Sequence, residues 1–169
     1  MGLASPGKDL PNKGTHRFMP TCELSQIAES DIVDLRSMAY RYWEGLMPDA
    51  LVIQDPERRA VYFDSHFRLG DGQSICWWLV ADNARAGFAK VDLWENHDGM
   101  GATIRDFFLD HPYRRQGIGQ AGAHRIVGAL KVRGVHRIDL NVRADNPVAL
   151  AFWGSVGFEL SLYQLRRYI

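Results

Sequence analysis

The chain has 169 residues, 46% hydrophobic and 11% aromatic, which suits one compact domain burying about 70% of its unfolded surface. Twenty Lys plus Arg balance twenty Asp plus Glu, which excludes the broad positive field of a nucleic-acid or anionic-membrane binder, so any anion site must be local. The longest apolar run, Ile75 to Ala81, is far shorter than the roughly 18 residues a membrane span needs.

Residues 1–14 are rich in Gly, Pro, Ser and Lys without apolar periodicity, which predicts a flexible tail ahead of a single domain over residues 15–169. The start lacks the charged onset and apolar stretch of a secretory signal, and Pro6 fills the hydroxyl position of a myristoylation motif, so a cytoplasmic location is expected. Cys22 and Cys76 are too few for a disulfide framework and lie in no metal-ligand spacing, so no metal is expected.

Between Glu23 and Gly45 the apolar residues follow helical spacing, predicting one or two helices. A further helix is expected over residues 56–69, with Asp55 as cap, Pro56 at the first position and Gly70 as stop. Residues 74–81 and 87–95 are rich in Trp, Val, Phe and Leu and read as a hairpin of antiparallel strands joined by residues 82–86. A third strand, residues 102–110, follows the turn 96–101. A helix over 117–133 ends at Gly134, a strand spans 137–142, and Asn146-Pro147 caps a helix to about Val156. A last strand is expected over 158–167. This order gives a mixed sheet with helices on its faces, an α/β or α+β fold.

The hand-over from the third strand to the long helix carries the most information. Gly117 and Gly119 stand where a backbone without Cβ atoms can wrap N–H donors around an anion, and the helix N-terminus adds about half a positive charge. Arg114 and Arg115 supply forked donors that match phosphate. Residues 117–122 also fit G-x-G-x-x-G, the dinucleotide fingerprint. However, Asp139 falls within its strand rather than at its end, and antiparallel strands precede the only strand-helix-strand unit, so a nicotinamide-dependent oxidoreductase finds no second half to its fold.

The segment Arg114-Arg115-Gln116-Gly117-Ile118-Gly119 resembles the [QR]-x-x-G-x-[GA] acyl-CoA motif of the GNAT acetyltransferase superfamily. Leu140-x-Val142-x-x-x-Asn146-x-x-Ala149-x-x-x-Trp153-x-x-x-Gly157-Phe158 is similar to that family's strand, capped helix and Gly-Phe ending, and the two matches are in register over about residues 15–169. The resemblance implies a mainly antiparallel sheet with a splayed parallel strand pair, and acetyl transfer from acetyl-CoA to an amine of a small molecule or peptide, by a monomer or homodimer. It also implies that backbone N–H groups from Arg115 to Gln120 hold the pyrophosphate, that Phe108 and Leu109 pair with the pantetheine arm, and that Asn146 lies near it. As a plain helix cap Asn146 is equally well explained.

Neutralising a lysine-like amine at pH 7 costs about 4.6 kcal/mol, so a base or a desolvating pocket is needed. Asp106 on the strand entering the turn and Glu95 ending the preceding strand are the carboxylates placed for that role, ahead of His97 and Asp110. The alternatives are an outward residue of an alternating strand for Asp106 and a loop carboxylate for Glu95. The Tyr that often protonates the thiolate in the family is replaced by Trp153, leaving Tyr163, Tyr113 or water, and leaving a non-catalytic acyl-CoA binding module as the second reading.

Overall fold

The computed structural model describes residues 21–165 and 167. The expected tail over residues 1–14 and the domain start at Thr15 lie outside them. Ten principal elements follow one another: β1 (Glu23–Gln26), α1 (Ile32–Leu46), α2 (Leu51–Gln54), α3 (Pro56–His66), β2 (Ser74–Ala81), β3 (Ala84–Asn96), β4 (Gly99–Leu109), α4 (Ile118–Val132), β5 (Arg137–Leu140) and α5 (Pro147–Ser155). The strands form one sheet in the order β1-β2-β3-β4-β5, antiparallel except for the parallel β4–β5 pair. This is the mixed sheet with helices on its faces that the sequence predicts. None of the helices among the described residues is long and apolar enough to cross a membrane.

The first correction is at β1, because the apolar spacing predicts a helix from Glu23 onward. Four residues cannot distinguish a period of 2 from one of 3.6, and Leu24 opposite Leu79 settles the matter through pairing with β2. The helix begins only at α1, where Leu35, Met38, Ala39 and Trp43 form its buried stripe. Asp31, just ahead of it, accepts a hydrogen bond from Trp78 Nε1 at 3.2 Å and pairs with Arg85 at 2.6 Å, fastening the helix start to the sheet.

Asp55 caps α3 as expected, its Oδ1 accepting from the N–H groups of Glu57 and Arg58 at 2.9 and 3.2 Å. Asp55→Ala should cost about 1 kcal/mol and lower the melting temperature by about 2–4 °C, measured by thermal unfolding. The helix stops at His66, short of Gly70, because Phe67 leaves it to pack against Trp43, Phe63 and Phe88. The β2–β3 link is tighter than expected. Asp82 and Asn83, both at positive φ, make a two-residue turn whose twist suits a hairpin.

Two apolar layers cover the sheet. Trp77, Leu79, Ala89, Val91, Ala102 and Ile104 pack beneath α4 and α5, whereas Cys76, Trp78, Phe88 and Phe108 pack against α1, α2 and α3. Adjacent Trp77 and Trp78 thus serve opposite layers, as strand alternation requires. β4 changes sides along its length. Lys90 pairs with Asp106 but Val91 pairs with Ile104, so Arg105 is an extra residue without an opposite number on β3. Upstream of this bulge the even-numbered residues Ala102 and Ile104 face α4 and α5. Downstream Phe107 and Leu109 do so, and Phe108 turns to the other layer.

The second correction concerns the expected last strand. Residues 158–165 alternate apolar and polar side chains, yet they carry no regular structure, and Leu160, Leu162 and Leu165 are exposed. Strand propensity expresses packing against a neighbour, and no described strand pairs with this segment.

Candidate active site

β5 pairs with β4 only from Gly101 to Ile104, and β4 then runs on to Leu109 with β3 alone as its partner. The two parallel strands therefore splay just where the bulge falls. A cleft of about 230 Å³ opens there, lined by Ile104, Arg105 and Phe107 of β4 and by residues 140–143 at the end of β5. Tyr42 and Leu46 of α1 close it on one side, and Asn146, Ala149 and Trp153 on the other.

β4 ends in the turn that leads to α4. Arg115 sits at φ 62° and Gly117 at φ 79°, with Gln116 between them outside the positive region. Such alternation turns successive N–H groups toward one side, making a concavity suited to an anion. The first hydrogen bond of α4 runs from Ala121 N–H to the Gly117 carbonyl at 3.0 Å, so the amides of Ile118, Gly119 and Gln120 precede any partner four residues back. No acidic residue lies in the first turn of this helix. Gly119 also governs packing, since a Cβ there would stand 3.3 Å from the Phe152 ring and its absence lets α5 approach α4.

The side chains of the turn are placed unequally. Arg114 Nε donates to the Leu109 carbonyl at 2.7 Å, and its guanidinium lies over the Phe108 ring, so it braces the strand end instead of facing outward. Gln116 donates to the Pro112 carbonyl at 2.6 Å and Gln120 to Ser155 Oγ at 3.0 Å. Arg115 is exposed and among the described residues has neither ion pair nor side-chain hydrogen bond, which makes it the free guanidinium of the turn.

Backbone direction separates Phe108 from Leu109. Asp110 N–H donates to the Ala86 carbonyl on β3, so the backbone groups of Phe108 face β3 as well, while those of Phe107 and Leu109 face the splay. Phe107, absent from the sequence-based candidates, thus occupies the place expected of Phe108. Asn146 accepts a hydrogen bond from Ala149 N–H at 3.0 Å, confirming the cap, and lines the cleft too. Trp153 packs against Phe107, Phe152 and Phe158 as one wall.

The acid–base candidates fall in three different places. Glu95 pairs with Met100 at the tip of the β3–β4 hairpin, five residues along β3 from Lys90, the partner of Asp106. At about 3.3 Å per residue that is roughly 16 Å from Asp106, on the side away from the turn. Tyr163 is 82% exposed in the segment after α5. Asp106 is 5% exposed, not outward, because the bulge sends it to the α1–α3 layer. There its Oδ2 meets Nε2 of His66, the last residue of α3, at 2.5 Å. No sequence signal points to His66, which is far from Asp106 along the chain.

Tyr42, one of the aromatic residues of α1 that could line an acceptor pocket, does line the cleft. Burial, and then the charge of Asp106, pushes it well above the usual tyrosine range, so the phenol stays protonated and keeps a proton to donate. Burial likewise pushes the Cys76 thiol up to about 12 and raises Cys22, so neither cysteine is a ready nucleophile.

The profile of the Acetyltransferase (GNAT) family matches residues 32–158, which include the bulged strand, the turn and the capped helix. The chain belongs to the GNAT acetyltransferase family. Among curated GNAT-type relatives it is 40% identical over 113 residues to the [ribosomal protein bS18]-alanine N-acetyltransferase of Escherichia coli K12, covering 66% of this chain and 74% of that one. Its fold is shared with a Clostridium difficile protein described as a possible acetyltransferase, with a TM-score of 0.71 at 15% identity over 88% of this chain and 97% of that one. An aminoglycoside acetyltransferase from an uncultured soil sample gives a TM-score of 0.65 at 18% identity over 88% and 95%. As a GNAT member the protein is an acyltransferase, and the splayed pair expected from the resemblance is present.

Proposed function

We propose that this protein moves the acetyl group of acetyl-CoA directly to an amine, and that the amine is the α-amino group of a peptide or protein. The supporting observation is the anion-receiving turn at the end of a strand that opens into a cleft. Phosphates held by the amides of residues 115–120, helped by Arg115, direct the rest of the donor along the backbone of Phe107 and the amide of Leu109, whose carbonyl is held by Arg114. The thioester then stands near Tyr42 and Asn146. The phenol of Tyr42 offers a hydrogen bond to the departing sulfur, a role that Tyr163 is too far out to fill. Direct transfer fits a cleft whose lining, among the described residues, includes no hydroxyl or thiol other than that phenol.

The acceptor class follows from the cost of neutralising the amine. The cleft is lined by Arg105, Arg143 and two asparagines, with no carboxylate or histidine among the described residues, which favours an amine that gives up its proton easily. An α-amine costs only about 1 kcal/mol to neutralise at pH 7, against about 4.6 kcal/mol for a lysine-like amine. The bS18-alanine activity of the Escherichia coli relative agrees, since alanine has no other amine. The test is thermal unfolding with acetyl-CoA, CoA and NAD, followed by transfer to a peptide with a free N-terminal alanine and to its blocked, lysine-containing counterpart. At about a hundredfold its dissociation constant acetyl-CoA should add roughly 2.7 kcal/mol and several degrees. Acetylation of the free N-terminus alone is expected. Stabilisation by NAD alone, or acetylation of lysine alone, would overturn the proposal.

A further inference from the structure

On the α3 side of the sheet, a second, polar hollow of about 350 Å³ adjoins the cleft. The two spaces meet at Arg105, the extra residue of the bulge, which lines both. Most of the hollow's inner polar groups are already engaged. Ser74 Oγ, Lys90 Nζ and Arg105 Nε all donate to Asp92, and Trp94 Nε1 donates to Thr103 Oγ1. His66 differs: Nε2 is engaged by Asp106, while Nδ1 has no partner among the described residues, and the ring lines the hollow.

Its setting holds the ring's orientation and favours one tautomer. The ring stacks on Tyr62 at 5.4 Å and meets Trp43 edge-on at 5.8 Å, so it cannot swing freely. An ionised carboxylate can only accept, so Asp106 favours the tautomer with its proton on Nε2, in which Nδ1 of the neutral ring carries the lone pair. A carboxylate behind an imidazole, with the other nitrogen open to a solvent-filled space, is an arrangement for taking a proton.

We propose that the acceptor amine enters through this hollow and that His66 Nδ1 takes its ammonium proton, with Asp106 as the positioning residue. The proposal rests on the acetyl-transfer reading above and assigns to His66 the role that the sequence suggests for Asp106. The ammonium gives one proton to Nδ1, and the neutral nitrogen attacks the thioester carbonyl. The C–N bond forms and the C–S bond breaks, its electron pair leaving with sulfur. The second proton lost from nitrogen reaches the thiolate through water, giving CoA thiol and amide, and the imidazolium releases its proton to water in the hollow. Imidazole suits this role because it can both accept and release a proton near neutral pH, and its ordinary range lies close to that of an α-amine. The charges facing the ring are Asp106 and Arg105 from β4, the Lys90–Asp92 pair from β3, and Arg68 and Asp71 from the loop after α3. Tyr42 on α1 and Tyr62 on α3 add only neutral phenols, both raised by burial and by Asp106.

The test compares the full-length wild type with His66→Gln and Asp106→Asn, using the N-terminal alanine peptide across pH 5.5 to 9. His66→Gln should lower kcat about 100-fold or more while acetyl-CoA affinity and melting temperature hold. The wild-type rate should level off above neutrality, and the variant's should keep rising with pH as the free amine fraction grows. Asp106→Asn should give a smaller loss with the plateau displaced. His66→Ala should be partly rescued by added imidazole, which a merely structural role does not allow. A His66→Gln enzyme with kcat within threefold of wild type and an unchanged pH profile would overturn the assignment. Wild type that binds acetyl-CoA yet acetylates no amine would overturn the acetyl-transfer reading, and this assignment with it.

Discussion

Gly117→Val is expected to weaken acetyl-CoA binding about 10- to 100-fold while the protein still folds. Gly117 holds φ 79° and ψ −8°, a conformation that a β-branched residue adopts only under strain. Forcing L-chirality there costs about 1–2 kcal/mol, which a domain of this size survives with a melting temperature lowered by a few degrees. The larger loss falls on the ligand. If the turn relaxes toward negative φ, the alternation from Arg115 to Gly117 is lost and one or two amides no longer face the phosphates. Each such hydrogen bond to a charged group contributes about 1.5–3 kcal/mol, hence a tenfold change or more apiece. Calorimetric titration with CoA reads the affinity, and thermal unfolding reads the strain separately. Wild-type affinity in a folded Gly117→Val protein would remove the turn from the binding site.

Asp92→Ala should be the most damaging single change to stability, about 3–5 kcal/mol by urea unfolding. Lys90 is 5% exposed, and Asp92 is its ion-pair partner among the described residues. Removing the carboxylate strands a buried ammonium and also deprives Arg105 and Ser74 of their acceptor. The double change Lys90→Met with Asp92→Ala should recover much of the loss, because a methionine of similar length needs no counter-charge. Equal instability of the single and double variants would show that the pair is not the cause. The pH dependence carries a definite sign. Burial pushes the Asp92 carboxyl up, but the hydrogen bonds from Lys90, Arg105 and Ser74 outweigh it and hold it below its ordinary 3.8. A carboxylate depressed in the folded state contributes stability above its unfolded value and loses it as pH falls through the folded one. The gap between wild type and Asp92→Ala should therefore narrow below about pH 4.

Much of this fold is legible in the chain because its signals are local. The cap at Asp55, the apolar and aromatic richness of residues 74–81 and the stop at Gly134 each act within a few residues, and the elements form where those signals stand. The turn from Arg114 to Gln120 is legible for the same reason, being a matter of backbone conformation at two positions. What escapes is what only a partner decides. Leu24 becomes a strand residue through β2, and residues 158–165 fail to become one for want of a neighbour. The cleft draws Tyr42 from α1, Phe107 from β4 and Trp153 from α5, and no spacing rule joins residues so far apart. The burial of Asp106 against His66 is hidden most deeply, since it depends on one extra residue whose presence shows only in the register with β3.

That extra residue makes strand length, more than strand composition, the sensitive variable at this site. Any side chain exchanged at position 105 alters local contacts, such as the pair with Asp92. Deleting the position would bring everything downstream back into phase with everything upstream. Asp106 and Phe108 would trade layers with Phe107 and Leu109, thrusting a carboxylate under α4 and α5 and withdrawing it from His66. Position 105 should thus tolerate many substitutions and no deletion, an asymmetry that a library of single-residue changes and single-residue losses along β4 would display directly.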